Sequence, residues 1–144
     1  MVMRDIIIDS SAILTALAFC HFIGDWFFQN DWMALNKTKN KLIRAVHVTV
    51  YVIPFWFMFG LLYLSFYEAV AIIAWIWITH FVIDSYKPLK FYRRLTGDVL
   101  AKSSETFEQA FSTPRGFMVY VTLDQVFHFI TLVPVAVYLA VATA

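Results

Sequence analysis

Apolar residues along this chain gather in four long runs, and most charged residues collect between them. Ala45 to Tyr67 holds no Asp, Glu, Lys or Arg. Ala69 to Ile83 is also free of formal charge, and extending it to Tyr86 adds only Asp84. The first run, Ile6 to Phe28, carries Asp9 near one end and Asp25 near the other, while the fourth, Gly116 to Val141, carries Asp124 alone. About 20 apolar residues cross a bilayer as a helix. A soluble helix of that length needs a polar face at helical period, and the middle two runs have almost none. The pattern predicts an all-α, four-span transmembrane bundle forming one integral-membrane domain, with spans at 6–28, 45–67, 69–86 and 116–141.

The connections refine this picture. Ser65-Phe66-Tyr67-Glu68 is a tight turn, so spans two and three form an antiparallel hairpin. Pro54 and Pro134 predict kinks in spans two and four. Lys37, Lys39, Lys41 and Arg44 lie between spans one and two, and Lys87, Lys90, Arg93, Arg94, Lys102 and Arg115 lie between spans three and four. Only Arg4 falls elsewhere. Both basic loops then belong on the cytoplasmic side and both termini on the other, as expected of a multi-pass protein of the cell's inner membrane. Trp26 and Trp32 suit the membrane interface. In the second basic loop, Ser103 to Phe111 predicts a short amphipathic helix capped by Ser104, with Phe107 and Phe111 on one face. Ala16-Leu17-Ala18 has the look of a signal-cleavage site, but Arg4, Asp5 and Asp9 do not make a clearly basic leader, so the first run reads as a retained span.

Composition strengthens the membrane assignment. The 144 residues suffice for one domain; 61% are hydrophobic and 15% charged, against about 45–50% and 25% in soluble domains. A free cytosolic enzyme is disfavoured and disorder is excluded. The net charge of +1 gives no strong nucleic-acid signal. Cys20, the single cysteine, has no internal disulfide partner and reads as packing. Asn36-Lys37-Thr38 matches a glycosylation sequon whose expected cytoplasmic location argues against use.

The candidate chemistry lies inside the spans. All four histidines, His21, His47, His80 and His128, fall within or just inside them, together with Asp25, Asp84 and Asp124. Ionisable groups in hydrocarbon are costly and face the bundle interior. His21 and Asp25 are four residues apart, with Gln29 four further on; His80 and Asp84 repeat the spacing, Asp124 and His128 reverse it, and His47 shares a face with Tyr51. At about 1.5 Å per residue, most of these groups come within roughly 5–15 Å of the cytoplasmic interface. Imidazoles and carboxylates converging on one layer fit a divalent metal ion such as zinc, manganese or iron. They would serve one ion with outer partners, or two ions sharing a bridging aspartate. Hydrogen-bonded pairs that fix helix packing, and a proton or ion pathway, are the competing readings. The outer half offers a pathway only hydroxyls, such as Ser11, Thr15 and Tyr138.

The residues His21-Phe22-Ile23-Gly24-Asp25-Trp26-Phe27-Phe28-Gln29 resemble the first signature of a bacterial and phage membrane-protein family known only as domain of unknown function 3307. His47, His80-Phe81-Val82-Ile83-Asp84-Ser85-Tyr86-Lys87 and Asp124-Gln125-Val126-Phe127-His128 fit its later elements, so the resemblance covers roughly Ala18 to Phe129. The family implies no activity. The chain is also loosely similar to small membrane proteins described as predicted metal-dependent hydrolases, and that likeness implies His21, Asp25, His80 and Asp84 as ligand-type pairs.

The expected function is a small integral-membrane metal-dependent hydrolase acting on a lipid or lipid-linked phosphate. His21, Asp25, His47, His80, Asp84 and His128 would hold the metal, Asp124 would be the general base, and Lys87 or Arg93 would balance phosphate charge. Lys87 reads first as a side chain snorkelling to the interface and only second as a substrate contact. Glu105 and Glu108 reach the site only if their loop folds inward. The alternatives are a metal-ion or proton transport protein and a non-catalytic membrane assembly module. Membrane lipids are the expected partners, and four short helices make a homo-oligomer reasonable.

Overall fold

The computed structural model describes residues 3–62, 64–95 and 112–142. Their regular structure is entirely helical: α1 (Met3–Phe22), a π-helical turn (Ile23–Phe27), α2 (Asp31–Asn36), α3 (Lys41–Tyr51), α4 (Ile53–Leu61), α5 (Phe66–Ile83), α6 (Lys87–Leu95) and α7 (Pro114–Ala142). Four helical stretches are long and apolar enough to cross a membrane: Met3–Phe27, Lys41–Leu61, Phe66–Ile83 and Pro114–Ala142. The expected helix at Ser103 to Phe111, with Glu105 and Glu108, lies outside the described residues, as does the Arg93 side chain.

Local sequence sets the boundaries. Asn30 and Asn40 cap α2 and α3, their side chains accepting from Met33 N and from Leu42 N and Ile43 N. Such caps satisfy amide groups that the first turn leaves unpaired. Ser65 and Glu68 form a reciprocal capping box at the start of α5. That box restarts the helix three residues before the predicted third span. The second span consists of α3 and α4, joined at Val52. Pro54 lacks an N–H and its ring crowds the carbonyl four residues earlier, so the discontinuity falls just before the proline. By contrast, α7 runs unbroken through Pro134. Its 29 residues give about 44 Å at 1.5 Å per residue, longer than the ~30 Å hydrocarbon core.

The bundle packs α1 most extensively against α7, with α5 also against α7 and the α3–α4 span against α1 and α5. One half of the interior is apolar. Leu17 and Cys20 of α1 meet Phe55 and Phe59 of α4, Ile72, Ile73 and Ile76 of α5, and Leu132, Val135, Ala136 and Leu139 of α7. The outward surface stays apolar too, with Ile7, Phe19, Phe57, Ile78 and Ile130 exposed. In water such a surface would be a liability; against lipid tails it is what a spanning helix presents. A smaller cluster seats α6 on α7 through Leu89 and Tyr120. The other half of the interior is polar.

A candidate metal centre inside the bundle

Four buried side chains from three spans converge at one point. Asp25 comes from the π-turn, His47 from the first turns of α3, His80 from the last turn of α5, and Asp84 caps that helix. Each is at most 4% exposed. Their ligand-type atoms all lie within 4.8 Å of one another.

The π-turn explains how Asp25 reaches this point. Phe28 N donates to Ile23 O, five residues back. The extra residue in the turn changes the helical phase, and Asp25 there meets His47 and Lys37. Gly24 permits the backbone approach: a Cβ there would overlap the carbonyl oxygen of Tyr51 and lie 2.7 Å from its ring. At the other side of the site, Tyr86 has φ 56°, a left-handed conformation that turns the chain two residues after Asp84. That conformation costs a non-glycine residue about 1–2 kcal/mol.

The spacing of the four atoms is informative. His47 Nε2 stands 3.1 Å from Asp25 Oδ1, 3.2 Å from Asp84 Oδ2 and 3.2 Å from His80 Nε2. His80 Nε2 stands 3.3 Å from Asp84 Oδ2 and 3.7 Å from Asp25 Oδ1. An imidazole nitrogen has one in-plane bonding direction and cannot hydrogen-bond to three groups at once. Ligands about 2.0–2.2 Å from a tetrahedral zinc ion stand roughly 3.3–3.6 Å apart. The observed edges match that scale, and two imidazoles with two carboxylates form a donor set suited to zinc, manganese or iron. The residues therefore fit a divalent ion, and the cluster is capable of coordinating one.

His128 and Asp124 adjoin this group. His128 Nε2 is 3.9 Å from Asp84 Oδ1, and its Nδ1 is 3.7 Å from an Asp124 carboxylate oxygen. Asp84, Asp124 and His128 make a second set of ligand-type atoms within 4.8 Å.

His21 is buried beside the cluster but differently engaged. Its Nε2 is 2.9 Å from Gln125 Oε1 and its Nδ1 is 3.0 Å from the Tyr51 hydroxyl. An amide oxygen only accepts, so Nε2 carries the hydrogen and Nδ1 accepts from Tyr51. Both nitrogens are thus spoken for. Tyr51 in turn stacks on His80, ring centroids 3.7 Å apart, and fixes that ring. Lys87 is exposed at the first position of α6.

The cation that does reach the carboxylates is Lys37, which its place among the loop's basic residues did not single out. Its Nζ lies 3.2 Å from Asp25 Oδ1, 3.2 Å from Asp84 Oδ1 and 3.2 Å from His47 Nε2. Arg44 aims it. The buried guanidinium donates through Nε to the Lys37 carbonyl at 2.8 Å and through a terminal nitrogen to the Thr38 carbonyl at 3.1 Å, while lying over the Phe81 ring. Burial alone would lower the Lys37 pKa, but Asp84 and Asp25 outweigh it and hold the amine above its ordinary value. Burial, with the Asp124 carboxylate next, pushes the Tyr86 phenol up to about 12.

Fold and site together define a multi-pass membrane protein with a buried aspartate–histidine cluster that can coordinate a metal ion. A family model described as a protein of unknown function (DUF3307) matches residues 13–144, and the chain belongs to that family. No curated protein and no solved structure matches it. Nothing in the family's description connects it to metal-dependent hydrolases.

Proposed function

We propose that the protein is a membrane-embedded, metal-dependent hydrolase of a lipid or lipid-linked phosphate, placed in the cell's inner membrane with its site toward the cytoplasmic face. The observation that carries this reading is the polyhedron of Asp25, His47, His80 and Asp84, whose edges suit a metal ion and defeat ordinary hydrogen bonding. When bound, a divalent ion supplies Lewis acidity and lowers the pKa of water. The chain's own residues do the rest. Asp25, His47, His80 and Asp84 hold the ion. Tyr51 keeps the His80 ring in place. Asp124, the least buried carboxylate beside the set, accepts the proton of the attacking water as its oxygen bonds to phosphorus. The bond from that terminal phosphorus to the oxygen on its lipid side breaks, and the departing oxygen takes up the proton that Asp124 received. Lys37 offsets negative charge at the carboxylates and at the phosphate.

The test is release of inorganic phosphate from phosphatidate or a polyprenyl diphosphate in proteoliposomes, with and without divalent metal. Metal-dependent release that Asp84→Asn and Asp124→Asn abolish supports the reading. Absence of release from the metal-loaded, monodisperse protein across both lipid classes contradicts it.

One observation favours a second reading. The Lys37 ammonium already bridges Asp25 and Asp84, which suits a fixed charge network that locks the helices or handles protons. In that case Lys37→Met and Asp84→Asn would impair folding or a proton flux, and no metal would co-purify.

A further inference from the structure

We propose that Asp84 bridges two cation positions, the second completed by His128 and Asp124. This rests on the metal-centre reading above and extends it from one ion to two.

The two oxygens of Asp84 face different neighbours. Oδ2 lies 3.2 Å from His47 Nε2 and 3.3 Å from His80 Nε2, within the first set. Oδ1 lies 3.2 Å from Lys37 Nζ, which also contacts Asp25 and His47, and it is the oxygen that approaches His128, 3.9 Å from its Nε2. Apart from the ion pair with Lys37 and the close histidine nitrogens, neither oxygen has a well-aligned hydrogen bond, although the residue is fully buried. A carboxylate whose oxygens address separate donor sets has the disposition of a bridging ligand, and paired ions in hydrolytic sites lie about 3.5–4 Å apart.

His128 supplies the independent observation. Its Nδ1 donates to the Asp124 backbone carbonyl at 2.8 Å. That bond fixes the hydrogen on Nδ1 and leaves a lone pair on Nε2, the arrangement by which backbone carbonyls orient metal-binding histidines. The residue is 1% exposed, yet Nε2 has no hydrogen-bond partner. Asp124 Oδ1 is buried and also without one. A buried lone pair facing a carboxylate, with no donor between them, is costly unless a cation joins them.

Charge indicates the ligand. Asp25, Asp84 and Asp124 set against the Lys37 ammonium leave the cluster short of two positive charges. One divalent ion balances that deficit. A second leaves an excess of two, which a phosphate dianion would match. The second ion shares Asp84 Oδ1 with Lys37, so Lys37 yields that oxygen when the position fills. Asp124 then binds through one oxygen and keeps the other for the proton.

The experiment counts ions in the full-length, detergent-purified protein after metal stripping and reloading with manganese, and again with zinc. Electron paramagnetic resonance of the manganese form reads their separation. Two ions per chain and a spin-coupled manganese spectrum are expected. Asp124→Asn and His128→Gln, each checked for monodispersity and helicity, should hold one ion and give an isolated six-line manganese signal. One ion in wild type, with a six-line signal and no change in Asp124→Asn, overturns the second position and leaves the first intact. Neither metal retained in any form overturns the metal-centre reading itself. The wild-type spectrum decides the matter even if both variants misfold.

Discussion

The two halves of the bundle interior are built from the same helices by opposite means. In the apolar half, Leu17, Phe55, Phe59, Ile76 and Leu139 meet through shape alone on regular helical turns. In the polar half, Asp25, Lys37, His47, His80, Asp84 and His128 meet through charge and bonding direction. Apart from the break at Val52 before Pro54, the irregular backbone gathers in the polar half: the π-turn at Asp25, the left-handed Tyr86 after Asp84 and the close approach of Gly24 to Tyr51. Helices deliver an apolar surface without adjustment, whereas a convergent set of donors requires local departures from helical phase. Such departures persist only where the surroundings over-determine them, and they gather at functional sites.

Substitutions should separate the halves. The largest effect belongs to Lys37→Met, which leaves two buried carboxylates without their ammonium. Breaking a buried pair this way costs about 3–5 kcal/mol. Thermal unfolding of the metal-stripped protein should show that loss, and saturating divalent metal should recover much of it. A loss indifferent to metal would mean that the polar half is held together by Lys37 alone.

Gly24→Ala should cost up to about 3 kcal/mol, because the added methyl meets the Tyr51 backbone rather than a side chain that can swing away. It should also reduce metal retention, since Tyr51 orients both His21 and His80. Leu139→Ala tests the other half. Its side chain is fully buried, and the cavity should cost about 2 kcal/mol, the low end of the usual range because lipid is a better alternative solvent than water. Metal content should not change; a matched fall would show that the halves are coupled. The smallest effect is that of Ser65→Ala, about 1 kcal/mol from loss of the α5 cap, with the centre unaffected at the opposite end of that helix.

Much of the fold was legible because the signal is bulk hydrophobicity over long windows. The four apolar stretches needed no register to find, and their ends moved by only a few residues where caps intervened: Asn40 starts the second span earlier than its charge-free run, and Ser65 does the same for the third. The helices α2 and α6 escaped notice because they are short and sit among charges. The convergence of Asp25, His47, His80, Asp84 and His128 was legible from their common depth. What spacing could not show is which partners each would take. Four-residue spacing put His21 and Asp25 on one face, but it could not show that His21 would bond to Gln125 and Tyr51 while Asp25 meets His47 and Lys37. Gln125 gave no signal of its own, and neither did the inward turn of Lys37, which depends on Arg44 bonding to two carbonyls across a loop. The nearest hint was the flanking asparagine caps, Asn30 and Asn40, which bound a loop too short to stray far from the helix ends.

Whether the polar half holds a metal ion is decided by X-ray absorption at the metal edge of the purified, metal-loaded protein. The expected spectrum has a first shell of nitrogen and oxygen only, with the outer-shell scattering of at least two imidazoles that falls on His47→Ala or His80→Ala. Cys20 contributes no sulfur, since it lies in the apolar half beside the Pro54 carbonyl. A shell containing sulfur, a shell of oxygens without imidazole, or no bound ion to measure would rule out a metal centre built from these residues.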